Sequence, residues 1–115
     1  MPFLRVYSNA ELKDKNPTQF AERAAELVAE KLGKPISYVV VNLCQNQAMS
    51  FGGSAANKGV LAYMESVGFK DKEGLVKLLT EFFYERFEGV ELNNINISTN
   101  SILASDVAIG GHLLG

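Results

Sequence analysis

The sequence predicts an α+β fold made of two βαβ units, a four-stranded mixed sheet with two helices on one face. Three observations predict it. Four short runs are rich in β-branched and aromatic residues, two longer stretches repeat apolar residues at helical spacing, and Gly, Pro and Asn mark the boundaries between them. At 115 residues the chain suits one domain, residues 1–115, given about 100–200 residues per domain.

Phe3-Leu4-Arg5-Val6-Tyr7, closed by the turn-prone Ser8-Asn9, predicts the first strand. Asn16-Pro17-Thr18-Gln19 then supplies a helix cap, a proline suited to the first helical position and a glutamine able to bond back to the cap. Phe20, Ala24, Leu27, Val28 and Leu32 recur on one side of that helix and Glu22, Arg23, Glu26 and Glu30 on the other, until Gly33 and Pro35 end the pattern. Residues 38–45 are nearly unbroken in apolar character, which predicts a strand covered on both faces, as in a parallel sheet. Phe51-Gly52-Gly53-Ser54-Ala55-Ala56-Asn57 reads as a loop, and residues 60–67 as a third strand ending at Gly68. Leu75, Val76, Leu78, Leu79, Phe82, Phe83 and Phe87 mark the second helix, ended by Gly89. Residues 92–98, where Ile95 and Ile97 alternate with polar side chains, form the fourth strand. With both helices on one face, the opposite face is bare. Residues 39–43 and 60–64 are too apolar to leave in water, so a homo-oligomer packed through its sheets is expected.

Composition narrows the function classes. Eleven Lys and Arg against thirteen Asp and Glu leave a net charge of −2, so no excess of cations exists to track a phosphate backbone, and nucleic acid is not an expected partner. The longest apolar runs fall far short of the ~18 residues that span a bilayer, and the residues from Met1 to Tyr7 lack the features of a secretory signal. A cytoplasmic location is expected, with any export by a route that needs no signal peptide. Cys44 is the sole cysteine and His112 the sole histidine, which excludes an intrachain disulfide and a zinc site of soft ligands. Cys44 reads as a packed, inert thiol and His112 as a surface or packing residue.

A few residues are candidates for chemistry. Pro2 follows Met1, and removal of that methionine would expose a secondary amine able to act as a general base if burial and a nearby cation bring its pKa toward neutrality. Lys34, just past the first helix, has two readings: a cation for a substrate carboxylate, or a lysine complementing the helix dipole. Gly52-Gly53 lacks the lysine and the helix start of a phosphate loop. The backbone at the end of Glu65-Ser66-Val67-Gly68 either donates to a ligand oxygen or simply closes a strand.

Met1-Pro2-Phe3-Leu4, Gly33-Lys34-Pro35 with Tyr38, Met49-Ser50-Phe51-Gly52-Gly53-Ser54 and Glu65-Ser66-Val67-Gly68, set in a double βαβ layout, together resemble the macrophage migration inhibitory factor and D-dopachrome tautomerase family. The resemblance covers essentially the whole chain and is most specific from Pro2 to Ser54. It implies a homotrimer whose sheets enclose a central channel, with active sites at the subunit boundaries. It also implies cofactor-independent keto–enol tautomerisation of small aromatic keto acids such as phenylpyruvate or of dopachrome-type compounds. In that reading Pro2 shuttles the proton, Lys34 holds the carboxylate, Ser66 and Val67 contact the substrate, and Tyr38 lines the pocket. Asn96 and Ser98 fall where many members carry tyrosine and asparagine, giving a more polar wall from the adjacent subunit, while Ile109 and Leu114 replace aromatic residues near the end. The Cys-x-x-Cys pair of some members is replaced by Gly59-Val60-Leu61-Ala62, so a thiol oxidoreductase activity is not expected. The alternative implied by the same resemblance is a secreted, cytokine-like protein acting on a cell-surface receptor, with vestigial catalysis.

Overall fold

Local side-chain chemistry begins both helices. In the computed structural model, which describes Met1–Gly115, the side chain of Asn16 accepts the Gln19 N–H at 3.0 Å and Pro17 opens helix α1 (Pro17–Leu32). Gly33 ends it at φ 65°, a left-handed conformation that costs glycine little, and the Lys34 N–H then reaches back to the Ala29 carbonyl at 3.0 Å. Asp71 caps helix α2 (Lys72–Arg86) by accepting the Gly74 N–H at 3.1 Å, and its carboxylate also meets Lys31 Nζ at 3.0 Å. A side chain at position 74 would collide with both Asp71 and Lys31, so the glycine admits a clamp that joins the end of one helix to the start of the other.

The sheet comprises β1 (Phe3–Ser8), β2 (Val40–Cys44), β3 (Val60–Ser66) and β4 (Ile95–Ser101) in the order β2-β1-β3-β4. β1 runs parallel to β2 and antiparallel to β3, and β3 runs parallel to β4, so the two βαβ units meet along the antiparallel β1–β3 seam. Alternation along each strand sends Leu4, Val6, Ala62 and Met64 into a core shared with Phe20, Val28, Leu75 and Leu79 of the helices. Phe20 lies at its centre, with the rings of Phe82, Phe83 and Phe87 at centroid distances of 5.0, 6.0 and 5.3 Å. No helix is long and apolar enough to cross a membrane.

Several expectations are corrected at the strand ends. Residues 38–45 are not one strand: Ile36–Tyr38 form a 3₁₀ turn, and β2 starts at Val40. Nor is β2 covered on both faces, since it is an edge strand whose Val40 remains 55% exposed. Its apolar run reads as doubly buried because consecutive valines hide which of them face the helices. Leu92–Asn94 likewise form a 3₁₀ turn before β4, and β3 closes at Ser66 rather than at Val67. Beyond β4, a 3₁₀ turn (Ala104–Asp106) leads into a small hairpin of β5 (Ala108–Ile109) and β6 (His112–Leu113).

The face away from the helices is also more polar than expected. Val41, Leu43, Val60, Ala62 and Met64 pack on the helix side, leaving Arg5, Tyr7, Asn42, Tyr63 and Glu65 on the open side beside the apolar Phe3, Val40 and Leu61. There Arg5 pairs with Glu65 at 3.1 Å and lies 5.5 Å from the Tyr63 ring, which meets Tyr7 edge-on at 6.1 Å.

Two measurements test these interactions. Phe20→Ala empties the centre of the aromatic cluster and is expected to cost about 3–5 kcal/mol in urea unfolding. The bond from Lys31, joined by the Gly74 N–H, lowers the Asp71 pKa from its ordinary 3.8. A carboxyl depressed in the folded state adds stability above its unfolded pKa and loses it as pH falls through the folded value. Urea midpoints of Asp71→Asn are therefore expected to fall less than those of the parent as the buffer is taken from neutral to below the carboxylate range.

Candidate functional site

Parallel pairing of β1 with β2 fixes the start of the chain. The Val40 N–H donates to the Pro2 carbonyl at 3.0 Å, which places Pro2 beside the 3₁₀ turn that carries Tyr38. That turn forms because Tyr38 and Val39 donate to the Pro35 and Ile36 carbonyls, both at 3.0 Å, and because Pro35 holds an extended entry at ψ 135°. The Gly33 reversal then presents Lys34 to the same corner. From the other side, the Ile102 N–H donates to the Ser66 carbonyl at 2.9 Å, carrying the chain from β4 past Val67 to Ala104. The Leu114 N–H bonds the Val107 carbonyl at 2.9 Å and folds the C-terminal residues back over the opening.

These segments enclose a cleft of about 250 Å³ lined by Met1, Lys34, Pro35, Tyr38, Val67, Ala104, Ile109 and Leu114. Its walls are apolar except for the lysine and the tyrosine hydroxyl. None of the ion pairs of the chain engages Lys34, so its ammonium is the one side-chain cation lining the cleft and is available to a ligand there. The amine of Met1 shares the cleft. Burial, and then the Lys34 charge, lower its pKa from the ordinary 8.0. A cavity of this kind suits a small, largely apolar molecule carrying one carboxylate. The wider depression of about 490 Å³ between the helix ends is bordered by Glu30, Lys31, Lys70 and Asp71, where the Lys31–Asp71 clamp already pairs opposite charges.

The candidate residues divide into three groups. Lys34, Tyr38 and Val67 line the cleft together, and Pro2 lies buried directly behind Met1. Ser66 is adjacent in sequence but does not line it: its side chain is fully buried on the helix side of β3, and its Oγ has no hydrogen-bond partner. Asn96 and Ser98 lie on exposed positions of β4 opposite Leu61 and Tyr63. Asn96 is therefore ~17 Å along the strand direction from the Ser66 end, at about 3.3 Å per residue, and reaches a cleft only if that cleft belongs to another copy of the chain. Pro35, marked in the sequence as a helix breaker, also lines the cleft, as does Ala104, which no motif marks and whose place is set by the Ile102–Ser66 bond.

The sequence matches the macrophage migration inhibitory factor family over residues 1–115. It is 30% identical over 117 residues to the macrophage migration inhibitory factor homolog of Brugia malayi, covering the whole of both chains. The fold matches that of the macrophage migration inhibitory factor from Trichinella spiralis at a TM-score of 0.85, with 24% identity over 96% of this chain and 98% of that one. It also matches the homologue from Prochlorococcus marinus at a TM-score of 0.88, with 20% identity over 98% of this chain and 99% of that one. With a family match spanning every residue and a relative 30% identical over the whole of both chains, this chain belongs to the macrophage migration inhibitory factor family.

Proposed function

We propose that the chain is a cofactor-independent keto–enol tautomerase of small aromatic keto acids, with Pro2 as general acid and base after Met1 is removed, acting as a homotrimer. The observation that carries this reading is the convergence of a buried Pro2, an unpaired Lys34 and an apolar wall at one cleft. The chain-end amine already feels burial and Lys34, and one residue deeper, at Pro2, the burial is greater. Both effects favour a neutral amine near pH 7, the form that can take a proton.

The reaction moves one proton. In the direction from keto to enol, the Pro2 nitrogen abstracts a proton from the carbon next to the substrate carbonyl, the electron pair of that C–H bond forms the C=C bond, and the carbonyl oxygen gains the negative charge and then a proton from water. The pyrrolidinium returns its proton to water or, in the reverse reaction, to carbon. Lys34 binds the carboxylate and stabilises the negative charge that develops on the oxygen. In this reading the Val67 N–H donates to a substrate oxygen, and Tyr38 packs on the ring.

Support for the homotrimer comes from the sheet. Two edge strands and an open face carry Leu61 and Tyr63 as well as the Arg5–Glu65 pair. In an assembly, Asn96 and Ser98 of one copy would become the wall of a neighbour's cleft.

Phenylpyruvate ketonisation by protein of verified N-terminal mass tests the reading. Chain lacking Met1 is expected to turn over, chain retaining Met1 is expected to be inactive, and Pro2→Gly is expected to lose at least a hundredfold in kcat/KM while keeping the sedimentation of a trimer. Equal turnover with and without Met1 would overturn it. Lys34→Ala is expected to lower kcat/KM about tenfold to a hundredfold for the keto acid, and much less for its methyl ester, because the lost interaction is a charge-assisted hydrogen bond.

A further inference from the structure

Two amines share the cleft, the α-amine of Met1 and the ammonium of Lys34, and no acid stands with them. The cleft lining contains neither Asp nor Glu, and none of the ion pairs of the chain takes in either group. Two like charges in an apolar cavity repel, and the repulsion is relieved either by the loss of one proton or by the entry of an anion. An α-amine gives up its proton about two pH units below a lysine side chain, so the proton released is that of Met1. Burial and then the Lys34 charge act in this direction, lowering the Met1 amine from its ordinary 8.0.

The Met1 amine is also anchored. Met1 is half-buried, and Pro2 behind it is fully buried, with its carbonyl bound by the Val40 N–H at 3.0 Å and its φ fixed by the ring. The amine therefore stands one peptide plane away from backbone held in the sheet. A cleft of about 250 Å³ brings both amines within reach of one small molecule. An amine kept neutral by an apolar setting and a neighbouring cation is a nucleophile toward carbonyl carbon. A molecule with a carboxylate directly beside a carbonyl engages both groups at once: its carboxylate pairs with Lys34, and its carbonyl carbon is left to the amine.

We propose that, while Met1 is attached, the cleft is a covalent capture site for small 2-keto acids, which Lys34 holds by the carboxylate and the Met1 amine binds as an imine. The nitrogen lone pair attacks the keto carbon, a C–N bond forms, and the electron pair of the C=O π bond passes to oxygen, which takes up a proton. The nitrogen gives up a proton, the hydroxyl leaves with a proton as water, and the C=N bond closes. One amine and one ketone thus become one imine and one water, with no oxidant or reductant. The rest of the keto acid lies against the apolar wall of Pro35, Val67 and Leu114. This site does not rest on the tautomerase reading, which concerns the Pro2 nitrogen once Met1 has gone; here that nitrogen is an amide and takes no part.

The test is reductive trapping. Full chain retaining Met1 is incubated at pH 7 with pyruvate and sodium cyanoborohydride, which reduces an imine to a stable secondary amine, and the adduct is located by peptide mass spectrometry. Met1 of the folded chain is expected to be labelled about tenfold faster than Met1 of the same chain unfolded in urea, where the amine has neither the cleft nor Lys34 beside it. Acetone, which has the carbonyl without the carboxylate, is expected to lose most of that advantage. Lys34→Ala is expected to lower labelling by pyruvate about fivefold more than labelling by acetone, with circular dichroism showing that the variant folds. In the parent, 3-phenylpropanoate, a carboxylate without a carbonyl, is expected to slow labelling, so the outcome does not hang on the variant. Equal rates for folded and unfolded chain, or an adduct on Lys34 in preference to Met1, would overturn the proposal. Rapid labelling of Met1 in a protein whose Met1-free form shows no turnover would sink the tautomerase reading and leave the capture site standing.

Discussion

The bond from the Val40 N–H to the Pro2 carbonyl is the contact on which the site depends. It exists because β1 is an inner strand, flanked by β2 on one side and β3 on the other, so the first residues of the chain are gripped from both edges. Chain ends usually fray for want of such partners. Here the same parallel pairing that holds Pro2 also fixes where β2 begins, and thereby the 3₁₀ turn and the Gly33 reversal that deliver Tyr38 and Lys34. Pro2, Lys34 and Tyr38 are thus set by one register; slipping it by a residue would turn Pro2 to the open face and disperse them.

The second unit completes the cleft by the same logic. β3 and β4 are parallel as β1 and β2 are, and because the two pairs meet antiparallel, the residues that precede the first pairing and those that follow the second lie at the same end of the sheet. The Ile102–Ser66 bond brings Ala104 and the terminal hairpin there. Two similar halves meeting antiparallel along β1–β3 therefore contribute unlike things to the cleft: charge and the chain-end nitrogen from the first, apolar cover from the second.

Much of this was legible in the sequence, for identifiable reasons. The helices were marked by caps and breakers, Asn16, Pro17 and Gly33, whose effects are local. The four strands were found, but their ends were not, because Tyr38 and Leu92 continue an apolar pattern while the backbone around them closes i→i+3 bonds. The facing of β2 was misread since three valines in succession carry no alternation. At the cleft, Lys34, Tyr38 and Val67 stood next to turn signals, whereas Ala104 has no chemistry of its own and arrives through a long-range backbone bond. Nor could the sequence show that Ser66 turns its hydroxyl to the buried, helix side of the sheet, where it has no partner.

Met1 and Leu114 both border the cleft, so the two chain ends come together at its mouth. This has a practical side for anyone handling the molecule. An affinity tag, fluorophore or fusion partner at either terminus would emerge from the opening itself and compete with whatever enters it. The exposed Gly52-Gly53 turn, in a loop that contributes nothing to the cleft lining, is the better place for a label or an inserted epitope. Immobilisation through that turn would leave the opening facing the solvent.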